Sequence, residues 1–184
     1  MLREIVTTDS LANARRLART RAVLANMTKK KDVMRGITIW RDRTMPAFVN
    51  SRSWIGVYLV QSDEGRVVPR LVIYYVSDDW LFISRYLFRI DGVSYSLEPD
   101  SYGPDAVERD NGSGDIWEWW DVEAEDQRLD VLKALANAKQ ATIRYEGQHY
   151  YHDRTIGAME RAAIGRTLQA YEALQEEGSM GASR

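Results

Sequence analysis

From Ile37 onward, apolar side chains recur at every second position rather than every third or fourth, and this alternation constrains the fold more than any other feature. Ile37 and Ile39 alternate with Thr38 and Trp40, and Ile55, Val57 and Leu59 alternate with Trp54, Tyr58 and Val60. Successive side chains of a strand point to opposite faces, so such a run buries one face of a sheet. Turn residues separate the runs. Asp63-Glu64-Gly65 leads into a strand from Val67 to Val76, where Pro69 near the start favours a strand end or an edge. After Ser77-Asp78-Asp79, the residues Trp80 to Ile90 read as one long strand, bulged where the aromatic phase shifts at Ser84 and Arg85. Asp91-Gly92, between Arg89-Ile90 and Val93-Ser94-Tyr95, predicts a type I′ hairpin, since both central positions need positive φ. Glu98 to Ala106 reads as a loop. A second turn, Asp110 to Gly114, lies between Val107–Arg109 and Ile116–Asp121. Gln140 to Glu146 predicts a strand with Ala141, Ile143 and Tyr145 inward, turned by Gly147 into Gln148–Asp153.

The helical period is confined to three places. Asp9 to Met27 predicts an amphipathic helix capped by Asp9 or Ser10, with Leu11, Ala14, Ala18, Ala22 and Ala25 on one strip and Leu17 and Leu24 beside it. Lys29-Lys30-Lys31 reads as a solvated hinge behind it. Glu123 to Asn137 predicts an inserted helix with Leu129, Leu132 and Leu135 on one face. Thr155 is expected to cap a last helix, Ile156 to Glu176, which docks through Ile156, Met159, Ala163, Ala170 and Leu174, joined by Leu168 and Tyr171. Strands at hairpin spacing, with helices at the ends and one between, predict an α+β fold. It is mainly antiparallel β, a sandwich or curled sheet, with an N-terminal amphipathic helix, one inserted helix and a C-terminal helix. A parallel α/β fold would need strands and helices to alternate. The expected organisation is a basic helical arm (residues 1–32), a single β-rich domain (33–176) and a flexible tail (177–184).

Charge divides the chain at the same place. Residues 1–35 hold nine basic and three acidic groups, a net of +6, while the remainder carries −8. A basic arm on an acidic body speaks of partners rather than fold. The absence of cysteine excludes disulfides, thiolate metal sites, iron–sulfur clusters and a cysteine nucleophile. The first residues carry no apolar signal-peptide core and no stretch has the length of a membrane span, so a cytoplasmic location, or a particle assembled there, is expected.

Six Trp and ten Tyr against three Phe are a heavy load of rings with polar handles, suited to interfaces as well as half-buried strands. Trp80, Trp117, Trp119 and Trp120 are therefore candidate interface residues. In a strand Trp117 and Trp119 share one face, a flat pair of indoles suited to a sugar ring or a protein hot spot, and Trp120 takes the other. Arg15, Arg16 and Arg19 form one basic patch that could dock on an acidic protein surface. The patch could also grip phosphates, but it lacks the aromatic interleaving and the motifs of nucleic-acid binding. Asp110 and Asp115, with Glu118 beyond, bring oxygen donors and glycines reminiscent of a calcium loop, though the spacing is not that of an EF-hand and a hairpin turn accounts for them equally. His149 and His152 lie three apart, on opposite faces of a strand. His152 with Asp153 is the remaining pair for general-base chemistry in a hydrolase. No cofactor is expected.

Four segments, Asp78-Asp79-Trp80-Leu81-Phe82, Glu108-Arg109-Asp110-Asn111-Gly112, Ile116-Trp117-Glu118-Trp119 and Asp153-Arg154-Thr155-Ile156, resemble those of a scattered group of bacterial and phage-type β-sandwich proteins of unassigned function. The resemblance spans Trp40 to about Leu174 and transfers no catalytic residue. The sequence thus points first to a non-catalytic protein-binding or assembly module, a phage-encoded structural protein or an inhibitor of a host protein among them. It would bind a protein partner, or a second copy of itself, through the basic N-terminal helix. A carbohydrate-binding module using surface Trp and a hydrolase centred on His149, His152 and Asp153 are the alternatives.

Overall fold

A computed structural model describes residues 2–181 of the chain, with side chains from 11 to 178. Among these residues are three helices and ten strands: α1 (Leu2–Leu24), β1 (Met27–Asp32), β2 (Ile37–Asp42), β3 (Trp54–Ser62), β4 (Val67–Ser77), β5 (Arg85–Ile90), β6 (Val93–Leu97), β7 (Glu108–Gly112), β8 (Asp115–Glu123), α2 (Asp126–Asn137), β9 (Ala141–Glu146), β10 (Tyr151–Thr155) and α3 (Ala158–Gly181). The strands form two antiparallel sheets, a larger one ordered β1-β2-β3-β4-β8-β7 and a smaller one ordered β10-β9-β5-β6. The α+β fold read from the sequence is the fold observed, with the expected inserted and terminal helices.

The alternation places the core. Ile55 and Val57 of β3, Leu71, Ile73 and Tyr75 of β4, and Ile116, Trp120 and Val122 of β8 form the inner face of the larger sheet. They meet Tyr86, Phe88 and Ile90 of β5 and Ala141, Ile143 and Tyr145 of β9. Helix α2 closes the same core with Val131, Leu132 and Leu135, and α3 adds Ile164. A second apolar cluster joins Met27, Leu59 and Val67 to Ala170 and Leu174 of α3, with Val23 and Leu24 of α1 beside it. Asp91-Gly92 forms the expected hairpin turn, with φ of 45° and 87°.

Four expectations are corrected. Lys29-Lys30-Lys31 is not a hinge: β1 pairs with β2 along its length, so the boundary expected at residue 32 falls between two strands of one sheet. Met27 anchors this strand in the core, Lys29 lies 4.9 Å from the Trp40 ring, and Lys31 pairs with Asp63. Lysines on an edge strand also deter edge-to-edge pairing. Helix α1 begins at Leu2, which puts Asp9 and Ser10 inside it, with side chains outside those described. It packs on α3 through Thr20, Val23 and Leu24, so the strip of Leu11, Ala14, Ala18 and Ala22 faces solvent. On α3 one expected inward residue is displaced: Met159 is 56% exposed and Glu160 is buried in its stead, while Ala163, Ala170 and Leu174 are buried as expected, with Ile164 and Thr167 beside them. Glu160 takes the inward place because its carboxylate accepts the Gly157 N–H that opens the helix. The segment expected as a flexible tail continues this helix through Gly181, and residues 182–184 lie outside those described.

Candidate functional site

Trp80 to Ser84, expected within one long strand, are not part of a strand. The reason lies on β8, whose inward side chains Ile116, Glu118, Trp120 and Val122 include one carboxylate that is 0% exposed. A buried charge is tolerable only when paired and hydrogen-bonded. Glu118 receives all of this. Oε1 accepts the N–H groups of Leu81 and Phe82 at 2.8 Å each, and Oε2 accepts the Ile83 N–H and Arg109 Nε at 2.9 Å each. Arg109 also donates to the carbonyls of Val107 and Ile83, at 3.2 and 3.1 Å.

Three consecutive N–H groups can converge on one carboxylate only if the chain curls, because in a strand they point alternately to opposite sides. The curl puts Phe82 at φ 54°, a left-handed conformation that costs a bulky residue roughly 1–2 kcal/mol. Phe82 is nevertheless 49% exposed. Its ring stacks on Trp80 at 5.9 Å and 23°, and the Arg109 guanidinium lies 5.7 Å from it. Gly147, between β9 and β10, presses on the same loop: a Cβ there would sit 1.9 Å from the Leu81 carbonyl oxygen. Beside Phe82 opens a cavity of about 290 Å³, lined among others by Ser84, Pro99, Ser101, Val107 and Gln148. The arrangement is a rigid, partly exposed aromatic–cation pair next to a hollow of side-chain size. Chemically it offers apolar area, a ring face and a fixed positive charge.

The sequence candidates are distributed as follows. Trp80 belongs to this site. Trp120 does not reach the surface: it is 1% exposed, stacks on Tyr86 at 5.5 Å and donates Nε1–H to the Asp105 carbonyl at 2.8 Å. Trp117 and Trp119 share the outer face of the larger sheet, as β8 pairs them with Val76 and Tyr74, and both are half-buried. Trp119 packs in a cluster with Met45, Trp54, Val72 and Tyr74. Nearby, the Tyr58 hydroxyl donates to Asp121, which also accepts Arg70 Nε at 2.8 Å; burial and the Asp121 charge push the Tyr58 hydroxyl well above its ordinary range. Arg15 and Arg19 are exposed, whereas Arg16 is half-buried and donates to Asn13 at 2.7 Å, so the basic patch is split.

Asp110 and Asp115 stand on a hairpin that turns at Ser113 and Gly114, with φ of 58° and 94°; Glu118 points between the sheets, away from any calcium loop. Among the described residues, no three His, Asp or Glu side chains gather as metal ligands. His149 faces Tyr150 at 6.4 Å, while His152 packs on Tyr75 at 5.7 Å. Asp153 is held by Arg144 through two bonds of 2.7 Å, which lower its carboxyl below the ordinary range. On β10, His152 and Asp153 alternate in direction, and Asp153 is committed to the arginine.

Sequence reasoning missed Glu118, Arg109, Phe82 and Gly147 as a unit. The available signal was an acid at an inward position of an alternating apolar strand, which must find donors somewhere in the chain. Comparison with known proteins finds no matching family model, no matching curated protein and no matching solved structure.

Proposed function

We propose that the chain is a non-catalytic protein-binding or assembly module whose anchor is Phe82, flanked by Trp80 and Arg109. The observation that carries this reading is a large aromatic side chain kept exposed in a left-handed conformation by a fully buried carboxylate. Strain at an exposed position persists only where the surroundings enforce it, and such positions cluster at functional sites. Trp and Arg are the side chains most enriched at interface hot spots, and a ring that is already rigid loses little entropy on binding. The cavity beside Phe82 has room for one apolar side chain of a partner. Such a module suits a subunit of an assembled particle, phage particles included, or an inhibitor of a host protein, working in the cytoplasm. The outward strip of α1, with exposed Leu11 flanked by Arg15 and Arg19, would serve as the tether. Among the described residues, no helix is long and apolar enough to cross a membrane.

Photo-cross-linking tests the anchor. Benzoylphenylalanine replaces Phe82 in one variant and the more exposed Phe48, on the loop after β2, in another, and cross-linking is carried out in extracts of the native host. The reading expects one discrete protein adduct from position 82 and none from position 48. No adduct from position 82, or the same ladder from both, would count against it.

A further inference from the structure

Among the described residues the two sheets end in four edge strands, and one of them differs in kind. β1 carries three lysines, β7 has Glu108, Arg109 and Asp110, and β10 has His152, Asp153 and Arg154. Charged side chains on edge strands are the usual guard against pairing with another chain. β6, Val93-Ser94-Tyr95-Ser96-Leu97, has no charged residue. Val93, at its exposed end, is 54% exposed.

The register shows which main-chain groups are free. A two-residue hairpin makes Ile90↔Val93 a hydrogen-bonded pair, so Phe88↔Tyr95 and Tyr86↔Leu97 are hydrogen-bonded too. The alternate residues, Ser94 and Ser96, therefore aim their N–H and C=O groups away from β5. No hydrogen bond from another loop or side chain of the described residues reaches these groups.

We propose that β6 is the self-association edge of this protein, pairing antiparallel with β6 of a second copy about a two-fold axis through Tyr95. In that register Ser94 faces Ser96 of the second copy and exchanges both main-chain bonds with it, and the reverse pair does the same. Four main-chain hydrogen bonds thus form across the axis. Val93 comes to lie opposite Leu97 of the second copy, so its exposed apolar surface is covered by an apolar neighbour. The contact is isologous and closes on itself, giving a dimer with one continuous eight-stranded sheet rather than a fibre. A foreign strand could use the same edge, but a second copy matches it at every position: serine to serine, valine to leucine, tyrosine to tyrosine. This surface is separate from the Phe82 anchor and stands or falls independently of it.

The test combines light scattering with cross-linking of the full chain. At about 100 µM, where a micromolar contact is saturated, the wild type is expected at twice its 21.2 kDa mass. Ser94→Lys, whose side chain lies on the solvent face and restores the missing charge, is expected to be monomeric with an unchanged circular dichroism spectrum. Because the chain has no cysteine, Tyr95→Cys introduces a single thiol that sits across the axis from its own copy. It is expected to form a disulfide-linked dimer under mild oxidation, while Ser113→Cys at the β7–β8 turn does not. A wild type that stays monomeric, whether or not it captures a foreign strand, overturns the proposal. So does a dimer that survives Ser94→Lys, or equal cross-linking from positions 95 and 113. If Ser94→Lys fails to fold, the two cysteine variants still decide the matter.

Discussion

Glu118 and Glu160 are both carboxylates sealed inside the protein, and each is met by an arginine and by main-chain N–H groups. Glu160 accepts the N–H groups of Ile55 and Gly157 at 2.9 Å each and a two-pronged contact from Arg154 at 2.7 and 2.9 Å. Around it the chain is fully packed, with Ile55 and Ile156 inaccessible to solvent. Glu118 satisfies a longer stretch of backbone, but the stretch it holds ends in an exposed, strained aromatic ring. The same device closes a core in one place and displays a side chain in the other. A buried ion pair is thus no sign of function in itself; what its donors are attached to distinguishes the two.

The largest expected effect breaks the Glu118 side. Glu118→Ala leaves three N–H groups and a guanidinium without their acceptor, and it should cost about 3–5 kcal/mol in denaturant unfolding. Glu160→Ala should cost a comparable amount, but only Glu118→Ala should change the accessibility of the Trp80 indole to a fluorescence quencher. A quenching profile equally altered in both variants would erase the distinction.

The two glycines beside these carboxylates sharpen it. Gly147→Ala drives a methyl group into the Leu81 carbonyl and should destabilise by about 1–3 kcal/mol. At Gly157 an added Cβ would meet Glu160 Oε2 at 3.6 Å, an ordinary contact, so Gly157→Ala should shift stability by less than about 0.5 kcal/mol. Chemical denaturation of the two variants checks the ranking, and equal losses would show that the Phe82 loop yields freely.

A smaller effect comes from a third acid outside the comparison. Asp42, at the end of β2, is buried, and burial alone would raise its pKa. Hydrogen bonds from Arg166 and Thr44 outweigh burial and hold the carboxyl below its ordinary 3.8. A depressed folded-state pKa gives stability that is present above the unfolded value and is lost as pH falls through the folded one. Acid titration of the melting temperature should therefore show a decline below about pH 4 that Asp42→Asn flattens by an amount on the order of 1 kcal/mol. An unchanged acid limb would remove Asp42 from the acid response.

The fold was legible where a local period or a turn spoke for itself. The alternation from Ile55 to Leu59, the Asp91-Gly92 hairpin and the inward Ala141, Ile143 and Tyr145 all stand as read. What escaped was decided by partners distant in sequence. The lysines of β1 look solvated until Trp40 and Asp63 are beside them. Which side of α1 packs within the chain is decided by α3, and the strip of Leu11, Ala14, Ala18 and Ala22 is the side left outward. Trp80 to Ser84 reads as strand because its hydrogen-bond acceptor lies more than thirty residues later, on Glu118. The site was half visible: Trp80 was found by its type, but Phe82 and Arg109 acquire meaning only through that acid.

Denaturant unfolding of Phe82→Gly tests the central claim most directly, since glycine adopts the left-handed conformation without strain. If the ring is displayed rather than structural, relief of strain offsets the lost stacking on Trp80 and Arg109. Stability should then stay level or rise by up to about 1 kcal/mol. A loss of 2 kcal/mol or more, the range of a truncated core side chain, would contradict the account and make Phe82 part of the core.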